Sequence, residues 1–102
     1  MTDKKMLELA AKAAGYQVHV WGKKGEENFA RIDQPHAPRW NPLINYGDRY
    51  RLARDLKLVI NFELCNVHCS INSEPYIFKW GGQLTDDAHA IVFAAAEIGK
   101  TL

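Results

Sequence analysis

The spacing of apolar residues along the chain predicts three helices. In the stretch MLELAAKAAG, apolar residues recur at the i, i+3, i+4 and i+7 positions of one helical face, with Thr2 placed to cap this helix and Gly15 to end it. The stretch DDAHAIVFAAAEIG near the C-terminus has a longer apolar run. Between them, a shorter helix is predicted from about Asp48 to Lys57, with Asn45 as its N-cap.

Five segments alternate apolar and polar residues, which is the pattern of half-buried strands. They read YQVHVW, NFARI, LKLVINFEL, NVHCSIN and YIFKW, and the third of them places Ile60 and Phe62 on one face. Because the connections between successive strands are short, antiparallel pairing is favoured. The predicted fold is a single compact α+β domain over residues 1–102, in the order α-β-β-α-β-β-β-α, with a mostly antiparallel sheet of about five strands packed by helices.

The last helix, which Thr85 is predicted to cap, is apolar on two sides. Ile91 and Val92 belong to one apolar stripe, whereas Phe93 and Ala94 belong to another. A helix that is apolar all round is buried on more than one side, either inside the domain or against a second chain. Phe93 is therefore a candidate contact in a homodimer.

The loop DQPHAPRWNPLIN contains three prolines, which exclude a helix or a central strand. Its apolar residues favour a loop folded onto the core, with Trp40 and Leu43 closing one end. In the alternative interpretation, Trp21, Trp40 and Phe93 form a candidate protein interface, because aromatic residues are enriched at the anchors of interfaces.

The composition fits one domain without a strong overall charge. The 102 residues are 47% hydrophobic, which is enough to build a core without disulfides. Lys and Arg total 13 against 12 Asp and Glu, so non-specific attraction to nucleic acid or to an anionic membrane is not expected. The sequence has no signal-peptide pattern and no stretch long enough to span a membrane, and we expect a cytoplasmic protein.

Residues capable of catalysis or metal binding do not form a recognised pattern. Cys65, His68 and Cys69 could bind a metal, but the spacing C-x-x-H-C is not that of a zinc knuckle, and strand alternation directs His68 and Cys69 to opposite faces. The two cysteines are expected to be reduced thiols. The chain has no G-x-S-x-G, H-E-x-x-H or phosphate-binding loop. We expect no enzymatic activity, no metal and no cofactor.

Nucleic-acid binding is the alternative function. From Asp48 onward, the predicted order α-β-β-β-α is that of double-stranded RNA-binding domains, which carry lysines at the start of their last helix. Here that position has Asp86 and Asp87, which repel phosphate groups. The candidate contacts are the arginines on and before the second helix, namely Arg39, Arg49, Arg51 and Arg54.

Three blocks of the sequence, MTDKKMLELAAKAAG, WNPLINYGDRYRLARDLKL and AHAIVFAAAEIGK, resemble a family of small proteins encoded by tailed bacteriophages and prophages of Gram-negative bacteria. The blocks cover about half of the chain and stand in the order of the family. More distantly, the chain is similar to phage domains described as α-β-α sandwiches. It departs from the family at INYGDRYRLARD, which is richer in arginine, and at Phe93, where Arg is usual.

The resemblance implies a phage origin and a fold, but no activity, because the family has none assigned. It implies a small accessory protein in the cytoplasm of the bacterial host. Without a catalytic pattern, we expect a non-enzymatic module that binds a host or defence protein and forms a homodimer through the last helix.

Overall fold

The computed structural model describes residues 2–21, 28–31, 39–82, 84 and 86–102. These residues form three helices and five strands in the order predicted from the sequence. The elements are α1 (Asp3–Ala14), β1 (Val18–Trp21), β2 (Asn28–Arg31), α2 (Tyr46–Asp55), β3 (Val59–Asn61), β4 (Asn66–Ile71), β5 (Glu74–Lys79) and α3 (Asp87–Gly99).

The strands form two sheets, and the prediction of one sheet of about five strands is wrong. Strands β1 and β2 make an antiparallel hairpin, and β3, β4 and β5 make an antiparallel sheet in that order. The two sheets do not join because they cover different sides of α3. Phe29 of the hairpin lies in a core with α1, whereas Val67 of the three-stranded sheet lies in a core on the other side of α3.

The predicted N-caps of the first two helices and the predicted end of the first are confirmed. The Thr2 hydroxyl accepts a hydrogen bond from the Lys5 N–H at 3.2 Å, and Gly15 ends α1 in the left-handed region with φ of 75°. The Asn45 side chain accepts from the Asp48 N–H at 2.9 Å. Because Asn45 is the cap, α2 starts immediately after it, two residues earlier than predicted.

Helix α3 begins after Asp86, whose carboxylate accepts from the backbone N–H of His89 at 2.8 Å. Thr85, the cap predicted from the sequence, lies outside the described residues. Asp87 follows in the first turn, where a negative charge is stabilised by the positive end of the helix dipole.

Helix α3 is the central layer of the domain, which accounts for its two apolar sides. One side meets α1 and the other meets the three-stranded sheet, so both sides are covered within the chain. The predicted membership of the two stripes is wrong, because Val92 lies in the core on the α1 side whereas Ile91 lies in the core on the sheet side. No helix among the described residues has the length and apolar character needed to cross a membrane. The core on the α1 side contains Met6, Leu7, Ala10, Ala11, Phe29, Trp40, Leu52, Val92, Ala95 and Ala96, and the core on the sheet side contains Ala53, Val67, Cys69, Ile71, Ala90, Ile91 and Ala94.

Strand β3 is shorter than the alternating pattern predicts. It ends at Asn61, whose side chain accepts a hydrogen bond from the Leu64 N–H at 3.0 Å and so closes a turn. Phe62 therefore lies in the turn and not on the inner face of a strand. Its side chain is 65% exposed.

Candidate functional site

An apolar groove of about 500 Å³ lies between α2 and the edge strand β3. Most of the surface that lines it is apolar. Its residues are Tyr46, Arg49, Tyr50 and Ala53 from α2, Ile60 and Phe62 from β3 and its turn, and Asp87 and Ile91 from α3.

Three large aromatic side chains rise from the walls of this groove. Tyr46 is 81% exposed, Tyr50 is 68% exposed and Phe62 is 65% exposed, whereas Ala53 and Ile91 on the floor are buried. Exposed aromatic side chains beside a buried apolar floor are a feature that binding surfaces share. Tyrosine also presents a polar hydroxyl, which is why it is frequent in protein interfaces.

Arg49 is fixed at the edge of the groove by bonds to the preceding loop. Its Nε donates to the Pro42 carbonyl at 2.8 Å, and one terminal nitrogen, Nη2, donates to the Leu43 carbonyl at 2.9 Å. The guanidinium carbon lies 5.0 Å from the centre of the Tyr46 ring, in a cation–π contact. Among the described residues, no acceptor bonds to the other terminal nitrogen, Nη1. The groove therefore has one pre-positioned positive charge.

The buried carboxylate of Asp48 ties the same loop to α2. One of its oxygens accepts from the Asn41 N–H at 2.9 Å, and the other accepts from Arg51 at 3.0 Å. Asp48 is only 8% exposed, so these bonds replace the water that the carboxylate loses on folding. This network holds the N-terminal end of α2 and, with it, the Tyr46 wall of the groove.

The arginines proposed for nucleic-acid binding do not form a free basic face. Arg49 is bonded to the loop, Arg51 pairs with buried Asp48, and Arg54 pairs with Asp55 at 3.1 Å. Arg39 is exposed just ahead of Trp40. The acidic residues predicted at the start of the last helix are there, since Asp86 caps α3 and Asp87 begins it.

Two of the three aromatic residues proposed as an interface, Trp40 and Phe93, are packed within the domain. Trp40 is 2% exposed and lies edge-on to Tyr16 and Phe29, with ring centres 5.9 and 6.5 Å apart. It therefore closes the core, as the first interpretation of the loop expected. Phe93 is half-buried and contacts Phe78 edge to face at 5.4 Å. Trp21 ends β1, and its side chain lies outside the described residues.

The three aromatic residues of the groove were missed by sequence reasoning. Tyr46, Tyr50 and Ala53 stand at i, i+4 and i+7 on α2, so their shared face was visible in the sequence. However, the same spacing is also found on a helix face that is buried in the core. Phe62 was assigned to an inner strand face, and nothing in the local pattern indicated that it meets α2.

Cys65, in the turn before β4, and Cys69, in β4, are both free cysteines. Cys69 is buried, and burial together with the charge of Glu97 raises the pKa of its thiol. Cys65 is half-buried, and its sulfur lies 3.7 Å from the Phe62 carbonyl oxygen. Within the described part of the chain, no three His, Cys, Asp or Glu side chains are placed to hold a metal ion.

No family model, curated protein or solved structure matches this chain.

Proposed function

We propose that this protein is a small, non-enzymatic binding module of phage or prophage origin that holds a segment of a host or defence protein in the groove between α2 and β3. The observation that carries the proposal is the set of exposed aromatic walls, Tyr46, Tyr50 and Phe62, above a buried apolar floor. Burying such side chains against an apolar partner is the main source of binding energy at protein interfaces.

The charges around the groove favour a partner segment with a carboxylate beside its apolar anchor. Arg49 is held in place before binding, so pairing with it costs little side-chain entropy. The nearby Asp87 carboxylate already accepts the Ala88 N–H at the positive end of α3, which offsets its charge. A segment with one large apolar residue and one acidic residue matches this arrangement.

The same contacts weigh against the nucleic-acid alternative. Phosphate binding needs cations that are available at the surface, but Arg51 and Arg54 are paired with carboxylates. Asp86 and Asp87 also occupy the start of the last helix, where double-stranded RNA-binding domains carry lysines. An apolar groove with one fixed arginine suits a protein segment better than a phosphate backbone.

The proposal is tested by selecting binders from a random peptide library with the nuclease-treated protein. We expect enriched peptides that share a large apolar residue with an acidic residue nearby. Replacing Tyr50 or Phe62 with Ala should weaken their binding by about tenfold or more, as for a central interface aromatic. Tyr76→Ala is the matched control, because Tyr76 is 42% exposed but lies on β5, at the opposite edge of the sheet.

Two results would overturn the proposal. One is a library that yields no binder to the wild-type protein. The other is a set of peptides that bind the Tyr50→Ala and Phe62→Ala variants as tightly as the wild type, which would place binding outside the groove. Once a peptide is in hand, capture of a host protein that the peptide displaces would identify the natural partner.

A further inference from the structure

The hydrogen-bonding pattern of the three-stranded sheet can be followed from its tight turn. Asn72 and Ser73 connect β4 to β5, both with positive φ, 53° and 68°, as in a type I′ hairpin turn. In such a turn the flanking pair, Ile71 and Glu74, exchanges backbone hydrogen bonds, and bonded and non-bonded pairs then alternate along the ladder. The odd-numbered residues of β4 therefore face β5.

A hydrogen bond at the other end of the ladder agrees with this alternation. The Trp80 N–H donates to the Cys65 carbonyl at 3.0 Å, so position 65 also faces β5. The even-numbered residues of β4 consequently face β3. Two of them, Asn66 and His68, stand opposite Asn61 and Val59.

Ile60 is left with its backbone N–H and C=O directed away from β4. It lies between the two bonded positions of β3 and opposite Val67, whose own backbone groups face β5. Within the described residues, no strand pairs with this edge of β3. Ile60 is also one of the residues that line the groove. The strand wall of the groove therefore offers an unused backbone donor and acceptor.

We propose that the partner segment enters the groove as an extended strand that pairs with Ile60 along the free edge of β3. This inference rests on the proposed function and specifies the form in which the partner binds. In binding by strand addition, backbone hydrogen bonds supply affinity and alternate side chains supply specificity. One side chain of the added strand lies between Tyr50 and Phe62, and a carboxylate close to it in sequence reaches Arg49.

The dimensions of the site set the length of this contact. Strand β3 has three residues, so the added segment pairs over about three residues. At the start of β3 the Leu58 N–H is already bonded to the Ala53 carbonyl, so it is not available to an added strand. A bound helix would cover the aromatic walls but would leave the Ile60 N–H without a partner, because the backbone groups of a helix are bonded within the helix.

The first test measures amide hydrogen exchange at Ile60 by NMR, with and without a peptide selected from the library. In the free protein, the Ile60 amide should exchange rapidly, whereas Val59 and Asn61 are protected by their bonds to β4. Saturation with the peptide should slow exchange at Ile60 by about tenfold or more, as expected for a new hydrogen bond. Unchanged exchange at Ile60 in the saturated complex would overturn strand addition.

The second test uses the same peptide with single N-methyl groups placed at successive positions. Because Ile60 offers a single free backbone carbonyl, strand addition predicts that methylation weakens binding by about tenfold at one position and leaves the two neighbouring positions nearly unchanged. Uniform or absent sensitivity would contradict it. If binding depends on Tyr50 but Ile60 gains no protection, the proposed function stands and only the strand form fails. If no peptide binds, both fail.

Discussion

The backbone of Gly99 in α3 lies directly against the carbonyl group of Leu9 in α1. A Cβ atom at position 99 would overlap that carbonyl, which is backbone and cannot turn aside. Gly99→Ala should therefore push α1 and α3 apart and lower the free energy of unfolding by roughly 1–3 kcal/mol, measured by urea denaturation. Gly82→Ala is the control, since a Cβ there meets no atom within 4 Å. Equal midpoints for the two variants would show that the helices are not in such close contact.

The Asp48 carboxylate is expected to contribute more to stability than its partner Arg51. Asp48→Ala removes the buried acceptor of the Asn41 N–H and should cost about 1–3 kcal/mol in the free energy of unfolding. Arg51→Ala removes a half-exposed side chain and should cost about 1 kcal/mol or less. Thermal and urea unfolding of both variants and of the double variant would separate the two contributions. Equal losses would assign the stabilisation to the ion pair and not to the backbone bond.

The N-cap of α3 should make part of the stability depend on pH. The His89 backbone N–H, followed by the His89 ring, lowers the pKa of Asp86 below its usual 3.8. Because the folded pKa is lower than the unfolded one, this stabilisation is complete above the unfolded pKa and is lost as the pH falls through the folded pKa.

Asp86→Asn tests this dependence because Asn keeps the capping acceptor but does not titrate. Between about pH 5 and about pH 2, the wild-type protein should lose more of its free energy of unfolding than the variant. The difference should be modest, because Asp86 is half-exposed. If the free energy of unfolding fell equally for the two proteins as the pH decreased, Asp86 would not be the source of the pH dependence.

The two cysteines should differ in their reactivity with thiol reagents. Cys69 is 8% exposed, and its raised pKa leaves little thiolate near neutral pH. Cys65 is half-buried at the end of the β3–β4 turn. Under native conditions, mass spectrometry of Cys65→Ala and Cys69→Ala variants should show alkylation of Cys65 first, with Cys69 labelled only when the protein opens. Equal labelling rates would indicate that the sheet-side core is more open than described.

Replacing Phe93 with Arg should affect packing and not the oligomeric state. The Phe93 ring contacts Phe78 within the same chain, so the interaction at risk is an aromatic pair of about 0.5–1.5 kcal/mol. A guanidinium can lie over the Phe78 ring and recover part of that loss. Light scattering should give the same molar mass for wild type and variant. If the wild type were a dimer and the variant a monomer, Phe93 would instead lie in the helix interface expected from the sequence.

Much of the fold could be predicted because its signals are local. The caps at Thr2 and Asn45 depend on hydrogen bonds that reach only three residues along the chain. The repeating patterns of apolar residues that predict the helices and strands, and hence their order, also depend on short spacings. The apolar residues all round α3 also indicated correctly that the helix is buried on two sides. The sequence left open whether the second side packs against a sheet of the same chain or against another chain.

The division into two sheets and the position of the groove depended on the tertiary structure. Nothing near Phe29 specifies that its hairpin packs on the α1 side of α3 while Val67 packs on the other side. The groove joins Tyr50 of α2 to Phe62 in the turn after β3 and to Ile91 of α3, and their proximity is not specified by any short spacing in the sequence.

The sequence by itself determined the order of the helices and strands and the caps at Thr2 and Asn45, because these properties arise from spacings of a few residues. Only the tertiary structure decided which apolar faces remain uncovered. That choice depends on how α2 sits beside β3, and so on the loop bonds of Arg49 and Asp48 that hold α2 in place. Tyr50 and Leu52 lie on the same helix, yet Tyr50 is 68% exposed and Leu52 is fully buried, because only Leu52 faces the core on the α1 side.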